Sequence, residues 1–440
     1  MISEIDGRLG RRKLIWFGIR GADAVPLLEL QQFREVFSII APLQSLSVER
    51  ETCLENMKKE RPDLDRYSVD DDTTIQASEF RRALFEALSE PSAVVPYTTG
   101  GFITAAYYPR WETTEYLGLF NERREAFTYK PWVESELVKL GVPTVPWRYV
   151  KDEDRTRLIE ALELGPVVVR TSRTDGGVGV GLIHDKKGLS QHLPDHADGF
   201  IAVAPFLHPN IPLNVNACVF KDGTVSLHSP SLQLIGVPSC TSRTFGYCGN
   251  DFARIRELPA NILDSLEEIV LKTGRWLASV GYLGAFGVDA IVHDAKVLLA
   301  EVNPRFQGSS ALSASLDAEL DRPDVFLCHI ASFQGLTPPP IDHLRDLASS
   351  QGRVSQVIIH NCTPSTLERT DNGTLEGPNR YLIVPQKGIG IKPNAVLAKV
   401  YVDESVTQDG LSLSPEYRKL TEGFSASHFS KSSSRVEASS

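Results

Sequence analysis

Residues 284–308 read GAFGVDAIVHDAKVLLAEVNPRFQG. Two apolar runs flank the polar turn HDAK, the pattern of an antiparallel hairpin. Side chains at i and i+2 of a strand share a face. Glu301 and Asn303 therefore point one way, and Arg305 follows if the strand continues past Pro304. Asp289 lies twelve residues before Glu301, on the first strand. A loop of three or five residues sets Asp289 opposite Glu301 on that face, whereas two or four residues turn it away. Facing carboxylates repel unless a cation separates them. A hard cation such as Mg²⁺ is held by one or two carboxylates plus substrate phosphates. Asp289, Glu301 and the Asn303 amide oxygen fit that donor set. A salt-bridged stripe, with Arg305 neutralising Glu301, satisfies the same pattern without a metal.

Working outward, residues 165–181, GPVVVRTSRTDGGVGVG, read as two strands joined by a glycine-rich loop. Such a loop exposes backbone N–H groups that can wrap phosphate oxygens. It lacks the ending of a Walker loop, and strand–loop–strand replaces the strand–loop–helix of a dinucleotide fold. Residues 129–143, YKPWVESELVKLGVP, carry Val133, Leu137 and Leu140 on one helical face, with Gly141 and Pro143 as stop signals. Lys130 and Arg170 bracket this unit and are candidate phosphate clamps.

In this order the pieces resemble the ATP-grasp superfamily, from about Lys130 to Gly308. The spacing from Asp289 to Glu301, Asn303 and Arg305 is the most specific part. The resemblance implies an α/β fold with ATP held between two α+β subdomains under the glycine-rich hairpin. It implies Mg²⁺, with Mn²⁺ an alternative, on Asp289, Glu301 and Asn303. ATP would be contacted by Lys130, Arg170, Ser172, Gly176, Gly177 and Gly179, and by the hinge at Ala204, Phe206 and Leu207. Arg305 and Arg170 would act on the acyl phosphate and its transition state. Arg170 stands where the family usually carries lysine. Ala204 stands near where many members carry a glutamate, which leaves ribose recognition to another residue such as Asn214. The implied organisation is a small α/β domain over 1–127, a lid subdomain over 128–205 and a metal-binding subdomain over 206–335. A strand-rich domain over 336–424 and a disordered tail over 425–440 follow.

Family members typically activate a carboxylate with the γ-phosphate of ATP and let an amine attack it. The expected activity is therefore carboxylate–amine ligation on amino acids or small peptides. Bicarbonate activation of the biotin-carboxylase kind and non-catalytic ATP binding are the alternatives. Residues 229–252, SPSLQLIGVPSCTSRTFGYCGNDF, form a candidate acceptor segment through Gln233, Arg243, Tyr247, Asn250 and Asp251. Arg243 could anchor a carboxylate and Asp251 an amine. The YTTGGF stretch at 97–102 could present backbone N–H groups to a carboxylate.

The rest of the chain bounds these readings. At 440 residues, two to four domains or subdomains are expected. A net charge of −10 disfavours nucleic acid as a partner. No apolar run approaches a membrane span and the charged start lacks a signal-peptide core, so a cytoplasmic protein is expected, with a homodimer as one assembly. Six scattered cysteines read as buried free thiols. Residues 24–43 show helical spacing at Leu27, Leu28, Leu30, Phe33 and Phe37, and the highly charged 49–82 read as exposed helix and loop.

Overall fold

The computed structural model describes residues 1–42, 45–98, 112–119, 121–151, 155–173, 176–189, 199–370, 380–381 and 384–432. Its first sheet has the buried strand Lys13–Arg20 at the centre. Phe33–Ile40 and Arg50–Cys53 lie on one side, Ser92–Pro96 and Thr114–Tyr116 on the other, all parallel. Parallel strands inside a sheet are covered on both faces, which is why the inner strands Lys13–Arg20, Phe33–Ile40 and Ser92–Pro96 are largely apolar, whereas the edge strands Arg50–Cys53 and Thr114–Tyr116 are polar.

The helical spacing of 24–43 is not realised. Residues Gly21–Glu29 make a 3-10 helix that contains Pro26, and Phe33–Ile40 is a strand. Short apolar runs satisfy both periods, and parallel pairing with Lys13–Arg20 decides between them. The charged 49–82 are also less exposed than expected. Glu55 and Arg61 form an ion pair in which each side chain is only 1% exposed. Arg61 Nη1 also donates to the Val396 carbonyl at 3.1 Å, and Glu60–Arg61 pairs with Gly390–Ile391. A charge run can thus be an internal tie when each charge meets a bidentate partner.

The middle of the chain follows its sequence pattern. Helix Lys130–Lys139 ends at Gly141 with φ 70°. A four-stranded antiparallel sheet runs Arg148–Lys151, Phe200–Pro205, Val167–Arg170, Val180–Ile183, with helix Arg155–Leu162 packed on it through Leu158 and Leu162. Most of the remaining strands build one nine-stranded sheet, and Phe429–Lys431, Leu367–Arg369, Gly390–Ile391 and Glu60–Arg61 form a separate small one. The order of the nine-stranded sheet is Lys296–Asn303, Gly284–His293, Ile211–Val219, Ser231–Ile235, Tyr247–Asp251, Ser355–His360, Val396–Val402, Arg380–Tyr381, with Val225–Leu227 paired to Ile211–Val219. Helix Ala260–Ser279 covers it with Ile262, Leu266, Ile269, Thr273 and Trp276.

Two expectations about the C-terminal third need correction. Three of its strands, Ser355–His360, Val396–Val402 and Arg380–Tyr381, continue the central sheet through the pairing of Tyr247–Asp251 with Ser355–His360. The tail expected from 425 is ordered at its start, where helix Pro415–His428 runs into strand Phe429–Lys431 on Leu367–Arg369. Phe424 and Phe429 bury there, which a serine count does not reveal. Residues 433–440 lie outside the described residues. Of the six cysteines, Cys362 is exposed and the other five are buried free thiols. No helix among the described residues is long and apolar enough to cross a membrane.

The parallel sheet and the central sheet share a core. Trp16, Phe306 and Phe326 pack together, with the Phe306 and Phe326 rings stacked at 4.5 Å. Beside them the buried His329 accepts from the Ala285 N–H at 3.0 Å and donates through Nε2 to the Leu117 carbonyl at 2.8 Å. Burial depresses its pKa to about 4 from the ordinary 6.5. Between those values the unfolded chain binds a proton that the folded chain refuses, so stability falls as pH falls from 6.5 towards 4. Linkage for such a group is on the order of 3 kcal/mol at the acid end. His329→Gln is expected to flatten the decline in melting temperature between pH 7 and pH 5; equal slopes in variant and wild type would refute the assignment.

Candidate active site

The 284–308 hairpin turns at Asp294 and Ala295, both with positive φ (49° and 58°), a two-residue turn of the type suited to strand twist. By parity alone this even loop should turn Asp289 away from Glu301. The pairing is nevertheless Asp289 with Glu301, while Ala290 pairs with Leu299. Ala300 is the extra residue of a β-bulge, and it returns the stripe to the shared face. The expected alignment is therefore realised, by a device other than the odd loop. The bulge also releases the Ala300 carbonyl, which accepts from Arg170 Nη1 at 3.4 Å.

Asp289 is enclosed by amides. Its Oδ1 accepts from Asn214 Nδ2 at 2.7 Å, Gln233 Nε2 at 2.9 Å and Gln307 Nε2 at 3.4 Å, and its Oδ2 from Asn303 Nδ2 at 2.9 Å. Burial, and next the charge of Glu301, push its pKa up to about 6, against the pull of the Asn214 and Asn303 hydrogen bonds and of Arg305. Lys130 Nζ meets Glu301 Oε1 at 2.6 Å. Two carboxylates that repel are the oxygen-ligand chemistry a divalent hard cation relieves. No group of three His, Cys, Asp or Glu side chains gathers among the described residues. The donor set thus suits a cation that takes its remaining ligands from a phosphate.

The pair stands where two clefts meet. One, of about 370 Å³, is largely apolar, with Trp147, Arg170, Ala204, Phe206 and Leu207 in its wall. The other, of about 200 Å³, is more polar and includes Arg20, Tyr97, Asn303, Arg305 and Lys399. Asp289, Glu301, Gly176 and Gly177 line both. In the first, the Phe206 N–H donates to the Pro166 carbonyl at 2.9 Å, and its ring stacks on His208. Arg170 lies over the Trp147 ring at 3.8 Å and is paired with Glu134, which also accepts from the Tyr149 hydroxyl. Its charge is thus already answered by a carboxylate, a fact the sequence does not show. Ser172 is buried, and its carbonyl accepts from the Lys130 N–H at 3.3 Å.

Gly176, Gly177 and Gly179 all have positive φ. A Cβ on Gly176 would overlap Asp65, and one on Gly177 the Phe245 carbonyl. The glycine loop is therefore seated against both the N-terminal part and the 229–252 segment, an approach only glycine permits. Residues 174–175 of this loop, and 99–102 of the YTTGGF stretch, lie outside the described residues.

The acceptor residues expected in 229–252 separate. Gln233 is a partner of Asp289 rather than a loop side chain. Tyr247 lines the polar cleft, gives its hydroxyl hydrogen to Asn250 Oδ1 and accepts from Gln356 Nε2 at 2.9 Å. Three expectations fail. Arg243 is held by Asp63 and Asp65 and has no free fork for a carboxylate. Asn250 is buried and donates to Ser231 Oγ at 2.9 Å. Asp251 accepts from the Arg254 and Val406 N–H groups and the Ser405 hydroxyl, so it anchors backbone instead of an amine. Loop polarity in sequence does not reveal which polar groups are consumed internally. Asn214, which lines the polar cleft, donates to Asp289 Oδ1 and to Gln307 Oε1 at 3.0 Å.

Sequence reasoning missed Gln307, Arg20, Tyr97 and Lys399. Gln307 was visible as the next step of the Glu301, Asn303, Arg305 alternation. Tyr97 accepts from Arg20 Nη2 at 3.1 Å and from Arg305 Nη1 at 3.5 Å, which joins two distant segments. Arg305 Nη1 also donates to the Phe306 carbonyl at 3.0 Å.

Gly287 pairs with Asn303, and a Cβ there would overlap the Gln307 amide. Gly287→Ala should push that amide off Asp289 and weaken Mg–nucleotide binding by about 10-fold, the scale of one hydrogen bond to a charged group. Calorimetric titration with Mg–AMP-PNP checks this, with unchanged far-UV circular dichroism as the control.

Comparison with known proteins agrees with this geometry. The family description that matches residues 140–309 is "ATP-grasp domain". The carbamoyl phosphate synthase large chain of Methanothermobacter thermautotrophicus is 26% identical over 193 residues, which are 42% of this chain and 17% of that one. The chain thus spans under a fifth of that relative's length. Among solved structures, the biotin carboxylase domain of Hydrogenobacter thermophilus 2-oxoglutarate carboxylase, a dimer with MgADP and bicarbonate, matches with TM-score 0.64 and 15% identity, over 89% of this chain and 86% of that chain. N5-carboxyaminoimidazole synthetase from Staphylococcus aureus, complexed with ADP, matches with TM-score 0.55 and 13% identity, over 95% and 96%. The family match thus covers the site-bearing segment, and these solved structures share the fold over most of the chain.

Proposed function

We propose that the chain is an ATP-dependent carboxylate–amine ligase. The observation that carries this reading is the Asp289–Glu301 pair at the junction of two clefts, one apolar and one cationic, as a two-substrate phosphoryl transfer requires. The apolar cleft takes the adenine against Ala204, Phe206 and Leu207. Lys130, Ser172 and the N–H groups of Gly176, Gly177 and Gly179 take the phosphates. Arg170, tied to Glu134 and Trp147, supports the phosphate end of that cleft as a fixed charge. Asp289, Glu301 and the Asn303 oxygen hold Mg²⁺ or Mn²⁺, which supplies charge neutralisation at the transferring phosphoryl group.

In this reading one carboxylate oxygen of the acid takes the γ-phosphoryl group and ADP leaves. The amine then attacks the acyl carbon, phosphate departs with the C–O bonding pair, and the nitrogen loses a proton to give the amide. Arg305, aimed from the stripe into the polar cleft, stabilises the anion on the acyl phosphate. Lys130 holds Glu301 in the absence of nucleotide and turns to phosphate in its presence. Amino acids or small peptides are the substrates in this reading. A homodimer is the assembly, supported by the dimer that the Hydrogenobacter structure names.

A second reading keeps the site and makes bicarbonate the acid. The fold shared with the Hydrogenobacter domain, solved with bicarbonate, is what favours it.

ADP release from Mg–ATP is the test, with pooled amino acids and small carboxylates and mass spectrometry of the products. ADP release together with a new amide mass is expected. Glu301→Gln should lower the rate at least about 100-fold, the scale of lost transition-state charge stabilisation. Full turnover by that variant refutes the site, and ADP release that depends on bicarbonate and yields no amide replaces the first reading with the second.

A further inference from the structure

The polar cleft has a cationic end that the reaction described above leaves unused. Arg20 ends the central strand of the parallel sheet, and Lys399 comes from Val396–Val402 in the C-terminal part of the central sheet. Arg20 is balanced by Asp23, with Nε 2.9 Å from Oδ2. Lys399 has no such balance. It is 2% exposed, pairs across the sheet with Ile358, and makes no hydrogen bond or ion pair among the described residues. The other carboxylates on this side, Asp63 and Asp65, are both consumed by Arg243. His360 gives its Nδ1 hydrogen to the Cys240 carbonyl at 3.0 Å and supplies no anion.

A buried ammonium without a directly paired carboxylate is costly unless something arrives to pair with it. Burial, and next the charge of Arg20, push the Lys399 pKa down to about 7, with Asp23 pulling the other way. An incoming anion would reverse that penalty. Ile19, Ile40, Ile358 and Val396 contribute aliphatic surface to the same cleft, with Ile358 paired to Lys399. That combination selects a carboxylate attached to a short apolar side chain.

We propose that Lys399, with Arg20 beside it, receives the unreacted carboxylate of the amine-bearing substrate, an α-amino acid with a short aliphatic side chain. This rests on the ligase reading. The carboxylate lies at the Lys399 end and the aliphatic side chain between the isoleucines. The amine points back towards Arg305 and the Asp289–Glu301 pair, where the acyl group is formed. Lys399 is thus the specificity-determining residue for the acceptor, drawn from a part of the chain outside the nucleotide-binding segments.

Calorimetric titration of the full chain with L-leucine, L-valine and L-leucinamide, with and without Mg–AMP-PNP, tests this. The amino acids are expected to bind and L-leucinamide, which lacks the carboxylate, to bind at least about 10-fold more weakly. Lys399→Met should lose the amino acids by a similar factor while Mg–AMP-PNP binds as in wild type, which shows that the variant is folded. Lys399→Arg, which keeps the charge, should recover part of the affinity. Equal affinity for L-leucine and L-leucinamide, or undiminished amino-acid binding by Lys399→Met, overturns the proposal, as does wild-type chain that binds neither amino acid. Failure of the ligase reading shows separately, as absence of Mg–AMP-PNP binding or of ADP release. The contrast between L-leucine and L-leucinamide still reports on Lys399 in that case.

Discussion

Two carboxylates face each other across an antiparallel strand pair, and most of the site is organised by that unfavourable contact. The Asp289 anion accepts hydrogen bonds from four side-chain amides, Asn214 and Gln233 on nearby strands and Asn303 and Gln307 on its own hairpin and just beyond, with the charge of Arg305 adding to them. Neutral amides stabilise charge without cancelling it, so the carboxyl remains hard to ionise and a cation remains favourable. Glu301 takes the other solution, a lysine drawn from a helix 171 residues away. The two halves of the pair are thus answered by different chemistry, one mainly by dipoles and one by a paired lysine.

That arrangement needs a rigid frame on both sides. The bulge at Ala300 fixes which face the stripe uses, and Gly287 leaves room for the Gln307 amide beneath it. Beyond Pro304 the alternation divides the chain's side chains between two environments. Arg305 and Gln307 face the polar cleft, while Phe306 between them packs against Trp16 and Phe326. The same short segment therefore carries chemistry on one side and joins the parallel sheet to the central sheet on the other. His329 reinforces the joint by bonding to backbone from both.

The C-terminal strands have a place in this frame. They extend the central sheet past Tyr247–Asp251 and so bring Ile358, Val396 and Lys399 to the polar cleft as its far wall. Arg61 bonds back to the Val396 carbonyl, which ties that wall to the N-terminal part. Arg243 with Asp63 and Asp65 makes a second tie, close to the seat of the glycine loop. The polar cleft is consequently built from distant parts of the chain, whereas the apolar cleft draws mainly on residues 145–245.

What could be read in the sequence was local and periodic. The i, i+2 stripe, the glycines between two apolar strands, the helix that stops at Gly141 and the hinge strand all appear where the residues indicated, because their signals come from backbone geometry within one element. Gln307 belonged to the same alternation and was legible by the same rule. The register of Asp289 against Glu301 was not, since a bulge changes parity without any mark in composition. Phe33–Ile40 became a strand because a neighbouring strand paired with it. Arg243, Asn250 and Asp251 were polar for internal partners, and Lys399 looked like any lysine in an apolar run. These outcomes depend on contacts between residues far apart in sequence, and only the tertiary structure decides them, because burial and pairing belong to the assembled sheet and not to the segment.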